Sequence, residues 1–271
     1  MSKSINLLIA QINPNVGDVQ ANCQKILQII TTQKHNHDLI VFPELALTGY
    51  QLEDLLFHNS LYIEINRALD KIKTAADNAC HVIVGHPNKV NAKIYNQLSI
   101  FANTECKYNY SKRKLPNYGI FDERRYYTRS NNKILSFKLQ EQSIKVCICE
   151  DLWQSTPQEI FGDSKTDLLI SINSSPFEYA KQKLRYALCS KFAKNGVHVV
   201  YVNQVGGQDE LIFDGASFAM DKSGKIAAQL PEFTEAQASI CLTQSNIQGQ
   251  YHPILTEHAA TYQAIVLGLK D

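Results

Sequence analysis

No apolar run in this sequence approaches the ~20 residues that a membrane-crossing helix requires. The opening MSKSINLLIAQINP has only a brief apolar stretch before Gln11 and no small-residue cleavage site. It reads as a first strand rather than a leader, and a soluble, cytoplasmic protein is expected. An excess of either charge is also lacking: formal net charge is +1. The densest basic stretch, Lys112, Arg113 and Lys114, is soon followed by Asp122 and Glu123. A nucleic-acid binder would carry a concentrated basic face, so neither nucleic acid nor membrane is expected as a partner. Seven cysteines (Cys23, Cys80, Cys106, Cys147, Cys149, Cys189 and Cys241) form no CxxC pair. They do not resemble a disulfide scaffold and read as reduced thiols, most of them small buried apolar groups. The Cys147/Cys149 spacing lacks the second ligand pair that a metal site needs. Repeats, low-complexity tracts and linkers are absent too.

What is present is an ordinary globular composition, 271 residues with 44% hydrophobic and 20% charged, enough for one large core. Asn6 to Ile12 reads as a buried strand. Asp18 can cap a helix whose face is Val19, Cys23, Ile26, Leu27 and Ile30. A second helix carries Leu61, Ile65, Leu69 and Ile72 on one side. Residues 38–42, 81–85, 94–102, 143–149, 167–173 and 197–203 read as strands, and a helix runs from the Asn-Ser-Ser-Pro turn to about Lys194. Residues 211–228 read as a hairpin turning at Asp221–Gly224. Residues 111–130 look irregular, and 256–271 look helical. Strands alternate with helices before a hairpin, which predicts an α/β protein with a mixed sheet layered by helices.

Three strand ends present reactive side chains. Glu44 follows DLIVFP, where partial desolvation favours a general base. Its plainer reading is a surface or capping carboxylate. Cys149 closes KVCIC and precedes Glu150 and Asp151, where the backbone must turn. Such a turn exposes the sulfur and leaves the next N–H free to meet a carbonyl oxygen. Cys147, two residues back, reads as packing. Lys112, in YSKRKLPNYGIFDERR, could neutralise an oxyanion, but chemistry alone does not separate it from Lys114.

Together and in this order, PELALTGY, YSKRKLPNYGIFDE and ICEDLW resemble the nitrilase superfamily. LPNYGIFDERRYY, INSSPFEYAKQKLR and NQVGGQDELIFDGASF resemble the glutaminase domain of glutamine-dependent NAD synthetases, and the resemblance spans nearly the whole chain. It implies a four-layer αββα sandwich. It also implies Glu44 as base, Lys112 (three residues before the leucine of LPNYG) as oxyanion stabiliser, Cys149 as nucleophile and Glu123 as a second glutamate positioning the site. Tyr118, Ser175 and Lys181 are implied as glutamine contacts, with Tyr50, Phe121 and Glu150 lining the pocket. Ser175, at a strand-to-helix turn with free N–H groups, would suit a carboxylate. Arg185, one helical turn beyond Lys181, either shares that task or belongs to a solvated basic face.

The implied activity is release of ammonia from L-glutamine through a cysteine thioester. The alternatives are a free-standing amidase or nitrilase acting on another small amide or nitrile, and a non-catalytic ammonia-supply or interaction module. The implied organisation is a carbon-nitrogen hydrolase domain over 1–255, with 256–271 opening the connection to a C-terminal NAD synthetase domain. The SGGxDS motif of that domain is absent from this sequence. ATP and Mg would belong there, and no cofactor or metal is expected in this part. The family's subunits commonly pair, so a homo-oligomer is implied. VGGQDE at 205–210 lacks a following helix pattern and reads as a loop rather than a phosphate cradle. His35 and His37, or His81 and His86, lack matching metal ligands.

Overall fold

The computed structural model describes residues 4–271. Two sheets face each other. The first has seven strands, in the order Ile247–Gly249, Ala236–Leu242, Ile5–Gln11, Leu39–Val41, His81–Val90, Lys93–Ala102 and Glu105–Ser111. The second has six, in the order Ile226–Gln229, Phe218–Met220, His198–Asn203, Leu168–Asn173, Gln142–Ile148 and Leu135–Leu139. Each sheet is parallel at its centre and antiparallel toward its edges.

Alternation along the strands explains the layers. In Ile5–Gln11, Ile5, Leu7 and Ile9 enter the core between the sheets, while Leu8 and Ala10 enter a second core beneath helices. Successive side chains point to opposite faces, so a strand buried on both sides reads as a continuous apolar run. The outer helices Val19–Gln33 and Asn59–Ala75 cover the first sheet through Val19, Cys23, Ile26, Ile30, Leu61, Ile65 and Ile72. Asp18 caps the first of these, accepting the Ala21 N–H at 2.9 Å. Helix Lys181–Ala193 covers the second sheet with Leu188, Cys189 and Phe192. The result is the four-layer αββα sandwich.

Two expectations need correction. Leu211–Asp214 is no part of the later hairpin; it pairs with Val205–Gln208 in a separate two-stranded ribbon. The hairpin proper joins Phe218–Met220 to Ile226–Gln229 around the predicted turn. VGGQ is thus a strand rather than a loop, because the next apolar run supplies its partner. Helix Glu257–Lys270 rests on this ribbon, and Asp271 Oδ2 accepts the Gly207 N–H at 2.9 Å.

One glycine sets how closely the chain passes beneath Glu44. A Cβ on Gly85 would lie 2.5 Å from the Leu45 nitrogen and 2.7 Å from the Pro43 oxygen. Those are backbone atoms and cannot swing away. Gly85→Ala is therefore expected to destabilise the fold by about 1–3 kcal/mol through overpacking and to lower activity by displacing Glu44. Urea unfolding with a parallel rate measurement checks this, and unchanged values in both would contradict the packing argument.

Candidate active site

The reactive groups lie where strands of both sheets end. Leu39–Val41 gives way to Phe42 and Pro43, and Leu45 then takes φ of +48° as the chain turns. Glu44, in this turn, is 1% exposed. Its Oε1 accepts the Asn96 amide and the Lys112 ammonium, each at 2.7 Å. Its Oε2 accepts the Ser174 N–H at 2.8 Å, and the Ser174 hydroxyl donates to the Glu44 carbonyl at 3.0 Å. Four bonds from three segments hold one residue.

Lys112 follows the edge strand Glu105–Ser111, and its ammonium also donates to Glu123 Oε1 at 2.8 Å. Burial lowers the Lys112 pKa, yet Glu123 and then Glu44 outweigh burial and hold it well above the usual lysine value. It remains a cation. Burial pushes the Glu123 carboxyl up, opposed by Lys112 and reinforced by Glu44. The Tyr50 hydroxyl donates to Glu123 Oε1 at 3.0 Å.

Cys149 follows the strand Gln142–Ile148, its N–H still bound to the Ile172 carbonyl at 2.9 Å. Its φ of +42° and ψ of −98° lie outside the regions favoured by L-residues. Strain of this kind costs about 1–3 kcal/mol and persists only where neighbours impose it. The bend starts the short helix Glu150–Trp153. Among the described residues, the Glu150 N–H donates to no protein acceptor. The buried thiol senses Glu44, Lys112, Glu150 and Glu123. Burial first, then Glu44, raises its pKa well above the usual thiol value, with Lys112 opposing.

The sequence-predicted recognition residues fare differently. Tyr118 donates to Glu150 Oε1 at 2.9 Å, and its ring meets Phe121 edge-on at 5.7 Å. Glu150 also accepts the Gln154 amide at 2.6 Å. Lys181 contacts Glu178 at 3.1 Å and lies 5.3 Å above the Trp153 ring. Ser175 does not offer a free N–H: it donates to Asn203 Oδ1 at 2.8 Å. The helix begins only at Lys181, so no helix N-terminus lies at Ser175. Nor is Arg185 on a solvated face. It is fully buried, its two terminal nitrogens 2.7 and 2.9 Å from the Asp214 carboxylate oxygens. Asn96 and Ser174 escaped the sequence reading, although a polar residue inside the apolar run at 94–102 was a visible signal.

The carbon-nitrogen hydrolase profile matches residues 8–249. The chain belongs to the carbon-nitrogen hydrolase family. Within this family it is 32% identical, over 277 residues, to the glutamine-dependent NAD(+) synthetase of Acinetobacter baylyi, covering 99% of this chain and 50% of the relative. The enzyme of that name from Xylella fastidiosa is 33% identical, covering 100% of this chain and 51% of its own. The chain thus spans about half the length of the curated relatives it matches. Among solved structures, a glutamine-dependent NAD+ synthetase from Acinetobacter baumannii superposes with a TM-score of 0.92 at 33% identity, over 99% of this chain and 52% of that one. An amidase from Nesterenkonia sp. shares the fold, with a TM-score of 0.76 at 17% identity over 89% of this chain and 91% of that one.

Among the described residues, no group of three or more His, Cys, Asp or Glu side chains is placed to hold a metal ion. His37 and His86 instead bond Ser239 and Ser99, at 2.8 and 2.7 Å. No helix among the described residues is long and apolar enough to cross a membrane.

Proposed function

We propose that this carbon-nitrogen hydrolase releases ammonia and glutamate from L-glutamine, with Cys149 as nucleophile, Glu44 as base and Lys112 as oxyanion partner. The observation that carries this reading is the hydrogen-bond pattern of Glu44 and Lys112. Glu44 Oε2 accepts a single bond, from Ser174, and so keeps a lone pair for the thiol proton. Lys112 uses two of its three N–H groups on Glu44 and Glu123, leaving the third for a developing oxyanion. The Glu150 N–H is the second oxyanion donor.

In the first half-reaction Glu44 takes the Sγ proton as sulfur attacks the side-chain amide carbon. The electron pair of the C=O moves to oxygen, beside Lys112. Collapse of the tetrahedral intermediate breaks the C–N bond, and Glu44 returns the proton to the departing nitrogen. Ammonia leaves a γ-thioester on Cys149. Glu44 then deprotonates water, which attacks the thioester, and the thiolate recovers the proton as glutamate forms. Glu123 restrains Lys112, and Tyr50 restrains Glu123. Tyr118, Phe121, Glu150, Ser175 and Lys181 are assigned to holding glutamine. With its amide and hydroxyl engaged, Ser175 acts by shaping the wall. Lys181 leaves Glu178 to meet the α-carboxylate.

The identity with glutamine-dependent NAD synthetases extends this reading. Residues 1–255 form the hydrolase unit, and 256–271 begin the connection to a synthetase domain that binds ATP and Mg and uses the ammonia to amidate nicotinic acid adenine dinucleotide. The protein works in the cytoplasm as a homo-oligomer. All seven cysteines are free, as a reducing compartment keeps them. A panel of glutamine, asparagine and small aliphatic amides, assayed for ammonia, tests the substrate. Glutamine is expected to lead. Turnover of the aliphatic amides with none of glutamine would instead mark an amidase acting on another small amide.

A further inference from the structure

We infer that Asp151, two residues beyond the nucleophile, is a positioning residue that locks the Lys112 loop to the Cys149 bend. This rests on the glutaminase reading above. Lys112 follows the edge strand of the first sheet and Cys149 the strand next to the edge of the second, so neither sheet's hydrogen bonds set their separation. Asp151 spans that gap. Its Oδ1 accepts the main-chain N–H groups of Arg113 and Lys114, at 2.9 and 2.8 Å, the two residues directly after Lys112. Its Oδ2 accepts the Tyr110 hydroxyl at 2.7 Å and the Ile148 N–H at 3.3 Å. The carboxylate therefore touches both sides of Lys112 along the chain and the residue before Cys149.

All four donors are neutral, and Asp151 is fully buried. A buried carboxylate satisfied only by neutral donors is costly to hold, and burial raises its pKa despite those bonds. A fold needing only a capped turn would be served by an exposed residue. The carboxylate offers what a neutral acceptor cannot: four simultaneous bonds from two segments, three of them short. Lys112 itself is fixed in the same way, its N–H on the Asn96 carbonyl at 2.8 Å and its carbonyl on the Ser130 N–H at 3.1 Å. With the main chain clamped on three sides, the lysine presents its ammonium at one distance from the sulfur.

Asp151→Asn is nearly isosteric, but its NH2 cannot accept, so one side of the clamp opens. Expected is a fall in kcat for glutamate release on the order of 10²-fold, the usual effect of a small misplacement, with KM for glutamine unchanged and the melting temperature close to the parent's. Loss of activity only in proportion to loss of folded protein, or an unchanged kcat, would overturn the assignment. Tyr110→Phe, which removes the shortest bond to Asp151, covers the case in which Asp151→Asn fails to fold. It should lower kcat by roughly 3–10-fold, the worth of one hydrogen bond, and an unchanged kcat there overturns the clamp.

A substrate-free measurement separates this proposal from the glutaminase reading. Lys112 favours the Cys149 thiolate, so loosening it should move the pH profile of Cys149 alkylation by chloroacetamide to higher pH in Asp151→Asn. If the parent protein releases no glutamate, the glutaminase reading fails while this profile still decides the clamp. An unshifted profile overturns it.

Discussion

Cys149→Ala should abolish glutamate release, lowering kcat on the order of 10⁴-fold or more, as loss of a nucleophile does in other covalent hydrolases. Cys147→Ala should leave kcat intact and cost about 1 kcal/mol of stability for the lost buried sulfur. The two thiols sit two residues apart, one inside the strand and one just past its end, so the contrast is sharp. Cys147 is fully buried on the face of its strand that carries Lys145, toward the outer helices and Cys189, and is paired to Ser171 across the ladder. Cys149 occupies the strained bend beside Glu44 and Lys112. Steady-state glutamate release with both variants is the check, and equal losses would remove Cys149 from its role.

The pH behaviour gives the same assignment a second handle. The Cys149 pKa is raised by burial and then by Glu44, and an acid whose pKa is raised keeps its proton until the pH passes that value. Alkylation of the resting enzyme should therefore be slow at pH 7 and accelerate on the alkaline side. Glu44→Gln removes the upward push of the carboxylate, so it should bring alkylation to lower pH while stopping turnover. Opposite effects on reactivity and catalysis are what a base, as opposed to a mere charge, predicts.

The second large effect concerns Arg185. Replacing it with Met should destabilise the fold by about 3–5 kcal/mol, the usual cost of leaving one member of a buried ion pair behind. The Asp214 carboxylate would lose both its guanidinium bonds. The Ser175 and Pro176 carbonyls would lose donors at 2.8 and 3.1 Å. Arg185→Lys should recover only part of this, because an ammonium cannot make the two parallel bonds to Asp214. Activity should fall with stability, since Ser175 follows Ser174, whose N–H holds Glu44. Urea unfolding measures the first effect, and a loss under 1 kcal/mol for Arg185→Met would show the pair to be incidental.

Arg185 also marks where a linear reading stops. Beside Lys181, at helical spacing, it looks like part of a basic surface; its partner Asp214 lies 29 residues on, in a ribbon whose pairing was not anticipated. Ser175 went astray for a similar reason. The turn was visible, but its N–H is taken by Asn203, 28 residues later. Asp151 read as one acid of a turn after the nucleophile, with no hint that Tyr110 and two main-chain amides meet there.

By itself the sequence determined the strands buried on both faces, the helices with their apolar stripes, and the three strand ends where Glu44, Lys112 and Cys149 stand. Each is written in a window of a few residues, and the spacing of apolar side chains within it already selects the backbone. Only the tertiary structure decided which polar groups face one another: Glu44 on Ser174, 130 residues away, Lys112 between two carboxylates, and Arg185 on Asp214. Burial makes those partners obligatory, because a charge withdrawn from water must find a counter-charge or donors. Which ones it finds depends on how two sheets are stacked, and no local pattern encodes that.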